Sequence, residues 1–153
     1  MGIVFKDLDQ KNIAYRMLAI NSDNNYRLVG LKDRITNKEN NDWFAKYKND
    51  SAKKFFVIEY HSKPCGLIGL KNIDYHLKSA ELFIVLDSEF KNIGIETKSI
   101  NKLAVYAKDV LHLDNLYLTV IADNKKAIDL YTKLGFKVIK NNSQNELEMV
   151  LDI

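Results

Sequence analysis

The sequence predicts an α+β or α/β sandwich, one mixed sheet with helices packed on both of its faces. Three observations carry this expectation. Strand-like segments come first and are followed by strand, helix, strand, helix, strand. Leu82-Phe83-Ile84-Val85-Leu86 is apolar at consecutive positions, as the centre of a sheet covered on both sides must be. Ile100, Leu103, Ala104, Ala107 and Leu111 recur at helical spacing. At 153 residues, 46% of them apolar and 28% charged, the chain has the size of a single domain spanning 1–153.

Taken in order, 2–6 reads as a short strand, and 10–20 places Ile13, Met17 and Ile20 on one helical face. Residues 21–37 show no firm period, and 37–48 brings Trp43, Phe44 and Tyr47 together at helical spacing. A helix pair and a long substrate loop both satisfy this stretch. Residues 55–60 are rich in strand formers, His61-Ser62-Lys63-Pro64 reads as a turn, and 67–71 as the partner strand of a hairpin. A third strand runs over 79–86, and a helix follows Gly94. Beyond the strand at 116–121, Asp123 or Asn124 caps a helix whose Ala127, Leu130, Tyr131 and Leu134 share a face, with Gly135 ending it in a left-handed turn. Strands at 136–139 and 146–151 complete the order.

Composition excludes several functions. The 23 basic and 20 acidic residues leave a net charge of +3, too balanced for the phosphate neutralisation that nucleic-acid binding requires. No stretch approaches the ~20 apolar residues that span a bilayer, and the start of the chain lacks a signal-like apolar run, so a cytoplasmic protein without membrane partners is expected. Cys65 is the sole cysteine, set in a Pro-Gly turn with no base beside it in sequence, which excludes an internal disulfide and gives no nucleophile. His61, His76 and His112 are far apart and none sits near a cysteine or carboxylate at ligand spacing, so no metal site is expected.

Chemistry concentrates between the central strand and the long helix. The segment 86–97 brings backbone N–H groups to a helix N-terminus, where anions bind well; a plain strand-to-helix connection with a glycine for its turn reads equally well from this segment alone. Three features in order resemble the GNAT N-acetyltransferase superfamily: the strand opening Ala80-Glu81-Leu82, the loop Lys91-x-x-Gly94-x-Glu96, and Asn124-x-x-Ala127-x-x-x-Tyr131-x-x-x-Gly135-Phe136. The likeness covers about residues 55–139. Trp43-Phe44 also resembles a segment found before the second strand in transferases acting on amino-sugar nucleotides.

The resemblance implies a mostly antiparallel mixed sheet and an enzyme that moves an acetyl group from acetyl-CoA to the primary amine of a small molecule, without a metal. An amino-sugar nucleotide ranks first among acceptors, with a protein N-terminus or polyamine behind it. Lys91, Asn92, Ile93, Gly94, Ile95, Glu96 and Thr97 would cradle the cofactor's diphosphate, and Phe83, Ile84 and Val85 would flank the pantetheine arm. Asn124 would hold that arm or a water, Tyr131 would protonate the leaving thiolate, and Glu81 would take the amine proton through water. Exposed strand edges allow a monomer or a homodimer.

Glu96 departs from the family, which carries Gly or Ala there. At about 5 Å and an effective dielectric near 20, a carboxylate repels each phosphate charge by roughly 3 kcal/mol, whereas a side chain turned to water costs far less. The alternative expectation is therefore a non-catalytic domain of the same fold, with weakened acetyl-CoA binding, serving as a binding or assembly partner.

Overall fold

The computed structural model describes residues 2–142 and 144–153. Seven strands form one sheet in the order β1-β2-β3-β4-β5-β7-β6. They are β1 (Ile3–Asp7), β2 (Lys54–Tyr60), β3 (Lys63–Asp74), β4 (Ser79–Leu86), β5 (Asn115–Ile121), β6 (Lys137–Asn141) and β7 (Glu146–Asp152). Every pairing is antiparallel except β4 with β5, so the sheet is mixed and mostly antiparallel as expected.

Helices cover both faces. On one, α1 (Ile13–Asn21), α2 (Asn25–Leu28) and α3 (Asn37–Tyr47) enclose a core with Ile13, Ile20, Tyr26, Phe44, Phe55 and Val85. On the other, α4 (Ile95–Asp109) and α5 (Lys125–Lys133) pack on Ile68, Leu82, Leu86, Leu116 and Phe136. Ile100, Leu103 and Ala107, the residues that predicted the long helix, are fully buried. A side chain the size of Ile100 or Leu103 contributes roughly 1.5–3 kcal/mol by leaving water.

The segment without a clear period resolves into the helix pair. Thr36 accepts from the Glu39 amide while Glu39 accepts from the Thr36 amide, a capping box that starts α3. Trp43 stacks on Tyr47 with ring centroids 4.9 Å apart and lies under the Arg16 guanidinium. Trp43 and Phe44 are therefore packing residues of α3.

Two expectations change at the hairpin. The reversal uses His61 and Ser62, both in the left-handed region with φ of 52° and 63°, and β3 begins at once with Lys63. Pro64 and Cys65 thus lie in a strand. Cys65 is fully buried, and removal from water beside Asp87 and Glu59 pushes its thiol up to about 11, so it is an inert core residue for a reason other than a turn location.

Gly66 of β3 sits opposite Leu86 of β4, and a Cβ there would lie 2.6 Å from the Val85 carbonyl oxygen. Gly66→Ala is expected to push the end of β4 away and to destabilise the fold by about 1–3 kcal/mol. A thermal melt checks this; a midpoint unchanged from that of the unsubstituted protein would show that the strands yield freely.

Candidate active site

The parallel pair β4 and β5 is joined only at Ser79–Glu81 and Asn115–Tyr117. Beyond those rows the strands part. The inner edges of Leu82–Leu86 and Leu118–Ile121 are left without a strand partner, although each strand remains paired on its outer side. A cleft of about 560 Å³ occupies the opening, walled by these strands, α2, the start of α4 and α5.

At one end the chain leaves β4 through a short 3-10 turn, Ser88–Phe90, and enters α4 by way of Asn92 and Gly94, with φ of 66° and 89°. Gly94 is the N-cap of α4 and offers no side-chain cap, so the first-turn amides have no acceptor inside the helix. Open space surrounds Gly94. A left-handed turn ending in an uncapped, 15-residue helix is a receptor for an anion: N–H groups and the positive end of the helix dipole converge there.

The structure gathers most of the residues singled out from sequence. Phe83, Ile84, Val85, Lys91, Asn92, Gly94, Glu96, Thr97, Asn124, Tyr131 and Glu81 all line the cleft. Ile93 and Ile95 do not. Ile93 projects into solvent and Ile95 into the core, so only their backbone groups are available to a ligand.

Tyr131 stands on α5 with its ring against Phe136, centroids 5.6 Å apart. Its hydroxyl has no hydrogen-bond partner among the described residues. Burial, reinforced by the negative charge of Glu96, pushes the phenol well above its ordinary value. It is held protonated at neutral pH, which is the form a proton donor needs.

Asn124 caps α5, accepting from the Ala127 amide at 3.2 Å. Its oxygen is thereby committed to the helix, and its amide nitrogen is what remains for a ligand. Glu81 lies on the opposite face of the sheet from α5, in alternation with Phe83 and Val85. Its carboxylate accepts from Asn72 at 2.9 Å and pairs with Lys71 at 3.6 Å. The parting of β4 and β5 thus connects a phenol on one face with a carboxylate on the other.

Asn25 of α2 is the residue that sequence reasoning missed. It is buried, and its amide donates to the Ala19 carbonyl at 2.9 Å and to the Leu86 carbonyl at 2.7 Å. Its side-chain oxygen accepts from the Lys91 ammonium at 3.0 Å. Tyr15 also donates to Asp87 at 3.1 Å, so α1 and α2 are tied to the end of β4. No sequence signal announces a buried asparagine in a helix of four residues.

On the face that bears Glu81, carboxylates collect where no helix covers the sheet. Glu148 and Glu146 of β7 are in register with Thr119 and Ile121 of β5. Glu81, Glu148 and Asp74 all add their charge to the burial that raises the Tyr117 phenol above its usual range. Among the described residues no group of three His, Cys, Asp or Glu side chains converges to hold a metal ion, and no helix is long and apolar enough to cross a membrane.

The family model described as Acetyltransferase (GNAT) family matches residues 8–136. The Spermidine N(1)-acetyltransferase of Escherichia coli K12 is 35% identical over 100 residues, which are 65% of this chain and 54% of that protein. Acetyltransferase PseH of Campylobacter jejuni is 32% identical over 89 residues, 58% and 54% of the two chains. The chain spans about half the length of these curated relatives. Among solved structures, spermidine N-acetyltransferase from Vibrio cholerae in complex with CoA and spermine superposes with a TM-score of 0.90 at 24% identity, covering 98% of this chain and 95% of that one. That likeness is one of fold.

Proposed function

The chain belongs to the Acetyltransferase (GNAT) family, and from that premise we propose that it transfers the acetyl group of acetyl-CoA to a primary amine of a small molecule. The observation that carries the proposal is the opening between β4 and β5, which has an anion receptor at the start of α4 and an unpartnered phenol across from it.

The diphosphate of the cofactor lies against the amides of 92–97, and its pantetheine arm enters beside Phe83, Ile84 and Val85. There it takes the place of the missing strand partner, and a free β4 amide meets the thioester oxygen as that oxygen gains charge. The neutral amine attacks the carbonyl carbon, the C–S bond breaks, and the thiolate takes the proton of Tyr131. The amine proton leaves through water to Glu81, whose charge Lys71 and Asn72 keep in place. A proton passed from Glu81 through solvent to Tyr131 restores the starting state.

The sequence expectation ranks an amino-sugar nucleotide first and a polyamine behind it; we rank the polyamine first, a reading supported by the spermidine N-acetyltransferases among the relatives. The carboxylate cluster on the part of the Glu81 face beyond the helices supports this order, since Glu81, Glu148 and Glu146 suit an extended polycation better than a diphosphate sugar. Trp43 and Phe44, which favoured the amino sugar, lie in the core and are absent from the cleft wall. A structure of the Vibrio cholerae protein is described as dodecameric, so light scattering on this chain is read for larger assemblies as well as for a monomer or homodimer.

The test is release of free thiol from acetyl-CoA in the presence of spermidine, spermine, an amino-sugar nucleotide and a peptide N-terminus. Turnover is expected to be fastest with the polyamines. Thiol release at background with every amine would favour the non-catalytic domain, the alternative that Glu96 motivates.

A further inference from the structure

Glu96, in the first turn of α4, lines the cleft that Tyr131 also lines, yet among the described residues its carboxylate makes no hydrogen bond and no ion pair. Lys91 from the loop and Lys126 from α5 lend it only their longer-range charge. The ammonium of Lys91 is held by Asn25 instead. Tyr131 of α5 is close enough to feel its charge and brings no cation. Arg27, Lys71, Glu81 and Glu146 complete the charged wall of the cleft, and Lys71 is paired with Glu81. Burial outweighs both lysines and raises the Glu96 carboxyl above the ordinary carboxylate range.

We propose that Glu96 gates the cleft through its own protonation, so that the protein takes up one proton at this carboxylate when it binds acyl-CoA. The inference rests on the cofactor site proposed above. An incoming diphosphate adds negative charge beside a carboxylate that has no partner, and a like charge favours the neutral form further. The proton comes from solvent, binds a carboxylate oxygen of Glu96, and returns to solvent when CoA departs; no other bond changes. The neutral carboxyl is then a hydrogen-bond donor where the free protein has only an acceptor.

The sign follows from linkage. The folded, unliganded state already binds this proton more tightly than an ordinary glutamate, and the cofactor complex binds it more tightly still. Affinity is therefore at its plateau at low pH and falls as pH rises through the unliganded value, by up to about tenfold per unit. Glu96→Gln removes that fall, because its amide stays neutral.

Calorimetric titration with acetyl-CoA in buffers of different ionisation enthalpy counts the protons taken up. The unsubstituted protein is expected to take up close to one proton more per site than Glu96→Gln and Glu96→Ala. As pH rises past the unliganded value its affinity is expected to fall by up to about tenfold per unit relative to either variant, a comparison that cancels the cofactor's own titration. Equal proton counts and parallel pH dependence, with all three proteins binding, would overturn the gate and leave the cofactor site standing. Absence of binding by all three, with melts showing them folded, would overturn both.

Discussion

Tyr131→Phe is expected to lower turnover tenfold or more, up to the ~10²–10⁴ that a positioned proton donor contributes, while acetyl-CoA affinity stays within about twofold. The ring keeps its contact with Phe136 and the helix face is unchanged, so only the hydroxyl is lost. That hydroxyl has no partner among the described residues, and its removal orphans no other group. Burial and the Glu96 charge make the phenol a reluctant acid in the free protein. A thiolate leaving into the same dry cleft is a stronger base than it is in water, and the proton moves between two groups shifted in the same direction. Steady-state kinetics with a good amine measure the effect; undiminished turnover would return Tyr131 to a packing role.

Asn25→Ala carries the largest expected effect on stability. The buried Leu86 carbonyl loses its side-chain donor, at a cost of about 1–3 kcal/mol, and the Ala19 carbonyl, which keeps the Ser22 amide at 3.4 Å, loses a hydrogen bond whose net worth is about 0.5–1.5 kcal/mol. The sum, roughly 1.5–4.5 kcal/mol, corresponds to a fall of about 3–18 °C in Tm for a chain of this length. The substitution also releases Lys91, which then becomes available to the unpartnered carboxylate of Glu96. The variant is thus expected to show less of the pH dependence assigned to Glu96 in acetyl-CoA binding, a change that destabilisation alone would not produce. A Tm within about 2 °C of the unsubstituted protein would contradict the structural role of Asn25.

What was legible in the sequence was whatever periodicity or fixed spacing could carry. The run 79–86 gives β4 with its observed bounds, and the buried spacing of Ile100, Leu103 and Ala107 gives α4. The cap of α5 is narrowed to Asp123 or Asn124 because capping needs a short polar side chain at one place, and Asn124 takes it. The hairpin misled because its true turn uses His61 and Ser62 in left-handed conformations, while Pro64 and Gly66, which look like turn residues, lie inside β3. The helix α2 was hidden for a related reason: it is held by the hydrogen bonds of Asn25, not by an apolar stripe.

The candidate site was half legible. Its loop and its phenol sit at recognisable spacings, but the cleft depends on where the pairing of β4 with β5 stops, and register beyond Glu81 and Tyr117 leaves no trace in one sequence. The identity of Glu96 was plain, whereas its place in one cleft with Tyr131 and its lack of a partner are three-dimensional facts. The carboxylate face is another: Asp74, Glu81 and Glu148 come from three strands and meet only around Tyr117.

Hydrogen–deuterium exchange with and without acetyl-CoA tests the central claim most directly, because the opening between β4 and β5 leaves amides that a bound cofactor must cover. Protection concentrated in peptides spanning 82–86, 91–98 and 118–121 is the predicted result. Binding that leaves these three segments exchanging at their free rates, or that protects a different part of the chain instead, would contradict it.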